Sequence, residues 1–278
     1  MADDVILQTH GLTKEFRGFT AVNSVDLRVR RGTIHALIGP NGAGKTTCFN
    51  LLTHFLTPTA GRITFKGRDI TGSRPADIAR LGLVRSFQIS AVFPHLTVLE
   101  NVRVALQRRR GASFDFWRSE RVLEALNGRA RELLEAVGLT AFAATTAVEL
   151  PYGRKRALAL IDAVGLSAFA ATTAVELPYG RKRALEIATT LALDPEMMLL
   201  DEPTAGMTHE DVDRITALIR KVAVNRTVLM VEHNLSVVEK LSSAITVLAR
   251  GEVLAEGDYA SVSRNPDVIQ AYMGSGHA

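Results

Sequence analysis

The chain has one cysteine, one tryptophan and only 6% aromatic residues among its 278. A single thiol, Cys48, excludes an internal disulfide and fits a reducing compartment; a buried small side chain is expected there rather than a redox group. Long hydrophobic runs are missing too. The longest, such as Thr227-Val228-Leu229-Met230-Val231, are strand-sized and far short of the roughly 18 residues that a membrane span needs, so no bilayer crossing is expected. The N-terminus, with Asp3 and Asp4, lacks a basic stretch followed by an apolar one, so no secretory signal is expected and the chain is assigned to the cytoplasm. Strong charge of either sign is absent: the formal net charge is +4, and the tight basic run Arg108-Arg109-Arg110 is only three residues long. That argues against nucleic acid and for a solvated surface, with acidic headgroups or a membrane partner as the other surface that suits it. What remains is an ordinary soluble composition, 47% hydrophobic, able to bury a large core as one domain or as a core carrying a smaller insertion.

The most informative stretch present is Gly39 to Thr46, G-P-N-G-A-G-K-T, which fits the phosphate-gripping pattern G-x-x-x-x-G-K-[ST]. The apolar run Ile34 to Ile38 before it reads as a buried strand, and Thr47 to Leu52 after it as a helix. Glycine lets the backbone take conformations closed to other residues, so the N–H groups of Gly39, Asn41, Gly42, Ala43 and Gly44 can curl around a phosphate. The following helix turns the positive end of its dipole towards that anion. Lys45 then reaches the β- and γ-phosphates, Thr46 holds Mg²⁺, and Thr47 joins the nucleotide-binding residues.

A second apolar strand, Met197 to Leu200, ends in Asp201-Glu202, the carboxylates wanted on a strand beside such a loop. Asp201 suits the water shell of Mg²⁺, and Glu202 suits orienting and polarising the water that attacks the γ-phosphate. A third strand, Thr227 to Val231, ends in Glu232-His233, from which the imidazole can touch the γ-phosphate. Gln88, after Ser86-Phe87, has an amide that can reach Mg²⁺ or the attacking water. Together these residues predict hydrolysis of a nucleoside triphosphate.

These segments resemble the ATP-binding cassette (ABC) family over nearly the whole chain. Phe16 lies at the position that stacks on adenine in that family, Gln88 matches the Q-loop and Leu177-Pro178-Tyr179-Gly180-Arg181 the signature loop. Asp201-Glu202 matches the Walker B pair, Ala205 to Thr208 the D-loop, and His233 the switch histidine. Phe93 to Val102, Val231 to Asn234 and the tail Asn265 to Gly274 resemble the ATPase subunits of branched-chain amino acid importers. The resemblance implies an α/β P-loop NTPase core with an antiparallel β subdomain and a helical insertion subdomain. It also implies ATP and Mg²⁺ as ligands, and a second ABC ATPase subunit, alike or different, that contributes Tyr179 and Gly180 across the dimer. Integral membrane permease subunits would dock after Gln88, a solute-binding protein would act indirectly, and the place of work would be peripheral, on the cytoplasmic face of the inner membrane. Alternatives in the same family are an exporter ATPase for lipid or polysaccharide and an ATP-binding module with impaired turnover. A nucleic-acid maintenance or translation ATPase would need long coiled coils or a second cassette, and the sequence has neither.

The sequence departs from the family in two places. Pro178 stands where most cassettes have a serine that bonds the γ-phosphate of the opposite subunit's ATP, which weakens the composite site; the N–H groups of Tyr179 and Gly180 remain available, and proline suits the first position of a helix. Glu135 to Leu158 also recurs as Asp162 to Leu185, offset by 27 residues and changed only at Glu135/Asp162 and Thr140/Ser167. The signature loop is thus written twice. Two copies are too few for a stacked repeat, so a tandem duplication inside one domain is the better account. From Leu177 to Asp201 is 24 positions, room for one helix, a turn and a strand, against 51 from Leu150. The second copy is therefore expected to work, with residues 139–165 as an excursion and Arg154 to Val164 helical. The whole is expected to be a single domain over 1–278, with 1–88 and 177–250 forming the catalytic core and β subdomain, 89–176 the helical subdomain, and 251–278 a hairpin and terminal helix. Within the β subdomain the expected strands are Val5 to His10, Val25 to Val29 and Arg62 to Phe65.

Overall fold

The computed structural model describes residues 4–86, 187, 190–191 and 193–274. Two compact units divide the chain: Met1–Ser86, Pro195–Ala205 and Ile219–Ala278 form one, and Phe87–Asp194 with Gly206–Leu218 the other. Most of the second unit lies outside the described residues. So do the duplication, Gln88, Tyr179, Gly180 and the expected helix Arg154 to Val164.

The first unit carries two sheets. In the larger, β4 (Ile34–Ile38), β7 (Leu83–Ser86), β8 (Met197–Asp201), β9 (Thr227–Val231), β10 (Ala244–Ala249) and β11 (Glu252–Gly257) take the order β11-β10-β4-β9-β8-β7. All its pairings are parallel except the edge hairpin β10–β11. Every residue of β8 and β9 is buried, as expected where both faces of a parallel sheet are covered and the strands read as continuous apolar runs rather than alternating ones. Arg250 and Gly251, both at positive φ (51° and 84°), turn the hairpin, matching the tight turn that right-twisted strands favour.

The smaller sheet has the order β2-β1-β5-β6, with β3 also on β1. Its strands are β1 (Val5–Phe16), β2 (Phe19–Val25), β3 (Arg28–Arg30), β5 (Ala60–Phe65) and β6 (Arg68–Asp69). The expected strand Val25 to Val29 is not one strand: β2 ends at Val25 opposite Leu12, and β3 starts at Arg28 opposite Gln8. Asp26 and Leu27 form the step between them, held by the Gly11 N–H donating to Asp26 Oδ1 (2.7 Å) and the Leu27 N–H donating to Thr9 Oγ1 (2.9 Å). Among the described residues the helices are α1 (Lys45–Leu52), α2 (Pro75–Arg80), α3 (His209–Val222), α4 (Leu235–Leu241), α5 (Tyr259–Ser263) and α6 (Pro266–Gly274). Asn234 caps α4 by accepting from the Ser236 and Val237 N–H groups, and Asp258 caps α5 through Ser261.

The core between α1 and the sheets gathers Leu7, Leu12, Phe49, Leu52, Phe65 and Leu229, all fully buried. Cys48 is among them, and burial pushes its thiol up to about 12, so it is an inert core side chain. His35 on β4 is 1% exposed, with Nε2 2.8 Å from Thr246 Oγ1 on β10, and burial lowers its pKa to about 4. The folded state thus resists a proton that the unfolded chain accepts near 6.5, so stability is lost as pH falls from 6.5 towards 4. Between pH 8 and pH 5 this one group should remove about 2 kcal/mol. Denaturant titrations of the wild type and His35→Val at both pH values check this; equal pH dependence in the two proteins would show that His35 does not titrate as its burial demands.

Candidate nucleotide site

Strand register aligns the carboxyl ends of three adjacent strands. Leu37 of β4 lies opposite Val231 of β9, and Val231 lies opposite Asp201 of β8. The phosphate-loop pattern, Glu232-His233 and Glu202 therefore leave the sheet side by side, at the edge where open α/β sheets hold ligands.

The loop from Gly39 to Gly44 is shaped by its surroundings as well as by its glycines. A Cβ on Gly39 would lie 2.1 Å from the Leu248 carbonyl oxygen of β10, and one on Gly44 2.4 Å from that of Ala21 in β2. The hairpin turn supports the loop from the same side: the Gly251 N–H donates to the Ala43 carbonyl (3.2 Å), and the Asn23 N–H donates to the Gly251 carbonyl (2.8 Å). Asn41, Gly42 and Thr46 are exposed, Gly44 and Thr47 half-buried, and Ala43 buried. Lys45 opens α1 and is 6% exposed, its ammonium donating to the carbonyls of Gly39 (2.7 Å) and Pro40 (2.9 Å). Burial pulls that ammonium below the ordinary lysine value, while the charges of Glu202 and then Asp201 pull it back up. A buried lysine between loop carbonyls and two carboxylates is a cation held for an anion that would join them.

Opposite the loop, Glu202 Oε1 and His233 Nε2 are 2.8 Å apart, with both side chains part-exposed. Glu202 has φ +45°, a conformation that costs a non-glycine residue about 1–3 kcal/mol and recurs at active sites. Backbone bonds hold it there: the Glu202 N–H donates to the Val231 carbonyl (2.9 Å) and the Ala205 N–H to the Glu202 carbonyl (3.2 Å). Asp201 is buried and ion-paired with Arg85 of β7, whose other nitrogen donates to Asn50 Oδ1 of α1 at 2.6 Å. Phe16, 41% exposed at the end of β1, has the Lys14 ammonium 5.1 Å from its ring centre.

The structure thus brings together Gly39 to Thr47, Asp201, Glu202 and His233, and it leaves the ring of Phe16 open to solvent. Gln88, Tyr179 and Gly180 lie outside the described residues. Sequence reasoning missed Asn50, Arg85 and Glu232. Arg85 carried a readable signal, since a charge inside the apolar strand Leu83–Ser86 demands a buried partner. Tyr272 of α6 gave none: its phenol, raised by burial, is lowered in part by a hydrogen bond from the Gly39 backbone, so the terminal helix touches the first glycine of the loop.

Residues 22–205 match the family model described as ABC transporter, and residues 252–278 that described as branched-chain amino acid ATP-binding cassette transporter. The chain is 39% identical to the high-affinity branched-chain amino acid transport ATP-binding protein BraF of Pseudomonas aeruginosa and 36% identical to LivG of Escherichia coli K12. Each similarity covers 97% of this chain and 98% of the relative. Among solved structures it is similar to a nucleotide-free ATP-binding cassette from an ABC transporter (TM-score 0.73, 26% identity, 96% of this chain and 98% of the other). It is also similar to the ADP conformation of the cassette MJ1267 (TM-score 0.68, 28% identity, 97% and 99%). With its site residues ranged along one sheet edge and likeness running the length of the chain, the protein belongs to the ABC transporter family as an ATPase subunit, with the C-terminal module of the branched-chain amino acid group.

Proposed function

We propose that two cassettes, this chain and a second of the same or a related kind, close head to tail on two ATP molecules and drive a membrane importer for branched-chain or related amino acids. The observation that carries the hydrolytic part is the Glu202–His233 pair at 2.8 Å, set across from a lysine that senses the charge of Glu202. Lys45 exchanges its two loop carbonyls for the β- and γ-phosphates, and the N–H groups of the loop add further donors. Glu202 takes the proton of the attacking water, and His233 touches the γ-phosphate. Phe16 stacks on adenine. Thr46, Asp201 and Gln88 would hold Mg²⁺, which would supply charge neutralisation to the phosphates; Asp201 suits that role as a buried carboxylate at the end of β8, next to Glu202.

From the opposite cassette, Tyr179 and Gly180 offer backbone donors in place of the serine that Pro178 displaces. Residues 89–176 act as the helical subdomain of a single domain over 1–278, with 139–165 as an excursion. Permease subunits dock beside Gln88 on the cytoplasmic face of the membrane and pass the stroke on to a solute-binding protein's cargo. Among the described residues no helix is long and apolar enough to cross a bilayer, which is consistent with a peripheral subunit.

The test is phosphate release by the purified chain beside a version lacking residues 139–165, with Glu202→Gln as the blank. ATP-driven uptake of leucine, isoleucine and valine by membrane vesicles carrying the permease subunits is measured in parallel. Comparable turnover in both versions, together with uptake, supports the proposal. Turnover only in the shortened chain would leave the full one a nucleotide-binding module, and efflux in place of uptake would make it an exporter subunit.

A further inference from the structure

Next to the Glu202–His233 pair a third carboxylate is buried. Glu232 follows β9 directly and is 2% exposed. Its Oε2 accepts the backbone N–H groups of His233 (2.7 Å) and Asn234 (3.1 Å). Its Oε1 accepts the N–H of Thr204 (3.0 Å) and the Thr204 hydroxyl. Thr204, 4% exposed, lies two residues after Glu202. One carboxylate therefore fastens the loop after β8 to the loop after β9.

An apolar side chain would continue the run Thr227–Val231 without burying a charge, whereas a carboxylate there must replace its whole hydration shell with donors. Glu232 does so with four, all from the two loops that carry the reacting side chains. The backbone at Glu202 also needs restraint, since positive φ at a non-glycine persists only where its surroundings over-determine it. Glu232 holds the exit of that turn at Thr204 and the start of the His233 loop at once, and Asn234, which it also holds, caps α4.

We infer that Glu232 is a positioning residue for ATP hydrolysis: it sets Glu202 and His233 in register across two loops without touching the nucleotide. The inference rests on the roles given to Glu202 and His233 above. Glutamine at this position keeps the size but turns an N–H₂ group towards converging donors.

The experiment compares Glu232→Gln, Thr204→Val and the double variant with wild type, in the full chain and in the version lacking 139–165. Glu202→Gln and His233→Ala serve as references. Turnover, KM for ATP, affinity for a fluorescent ATP analogue and melting temperature are read for each. Glu232→Gln should lower kcat by about tenfold or more while KM and nucleotide affinity stay within about threefold. Thr204→Val should cost less, and the double variant should be no worse than Glu232→Gln alone, because both remove the same link. A kcat within twofold of wild type, additive losses, or a fall in kcat matched by lost affinity and lowered melting would each overturn the inference. If the two references also hydrolyse at the wild-type rate, or neither background turns over, the assigned roles fall and Glu232 falls with them. If the references are inactive and Glu232→Gln is not, only the inference about Glu232 is lost.

Discussion

Glu202→Gln should lower turnover of ATP by about 10²–10⁴-fold and leave nucleotide binding near that of the wild type. Glutamine has the same volume and can still meet the His233 imidazole, now 2.8 Å from Glu202 Oε1, but it cannot take a proton from water. The backbone at φ +45° is held by main-chain bonds to Val231 and Ala205, so the fold does not depend on the charge. Asp201→Asn is a poorer probe. It would leave Arg85, 10% exposed in its side chain, without its ion partner, and breaking a buried pair destabilises the fold as well as the chemistry. Single-turnover phosphate release and equilibrium binding of a fluorescent ATP analogue separate the two effects. A retained rate would remove Glu202 as the base. Weakened binding would mean that the substitution acts through Lys45, whose ammonium the Glu202 charge supports.

The parts of this site that were legible in the sequence are those that short stretches define. Ile34–Ile38 with the glycine loop, Met197–Asp201 and Thr227–Val231 each announce a buried strand with functional groups at its end, and the parallel register then brings those ends together. Two things were hidden because they depend on residues far apart in the chain. The break between β2 and β3 arises because the twelve-residue β1 pairs with β3 along its first half and β2 along its second, so the alternation of Val25 to Val29 continues in sequence where the strand does not. The supports of the site were hidden for the same reason: Arg85 and Asp201 are 116 positions apart, Thr204 and Glu232 28 apart. Each pair includes a charged group in a buried place, which signals that a partner exists without naming it.

Gly44→Ala should abolish function by a different route, through the shape of the loop rather than its chemistry. Gly44 has φ +96° and immediately precedes α1, so a Cβ there is strained before any contact is considered. The contact adds to this: the new carbon would stand 2.4 Å from the Ala21 carbonyl oxygen, a backbone atom in β2 that cannot swing aside. Gly42 separates the two costs. Its φ of +75° is just as demanding, yet a Cβ there would meet nothing within 4 Å. Gly42→Ala should therefore lose only the conformational part of nucleotide-free stability, about 1–2 kcal/mol, and Gly44→Ala distinctly more. Relief of the clash must move either the β1–β2 hairpin or the start of α1, and Lys45 is the first residue of that helix. Losing the alignment of its ammonium and of one loop N–H removes two charge-assisted bonds, which corresponds to about a hundredfold or greater loss of ATP affinity. Chemical denaturation without nucleotide, followed by ATP titration of whichever protein remains folded, measures both quantities. Equal destabilisation by the two alanines would mean that the loop yields at Ala21 and that its conformation alone, not its packing against β2, holds the phosphate-binding shape.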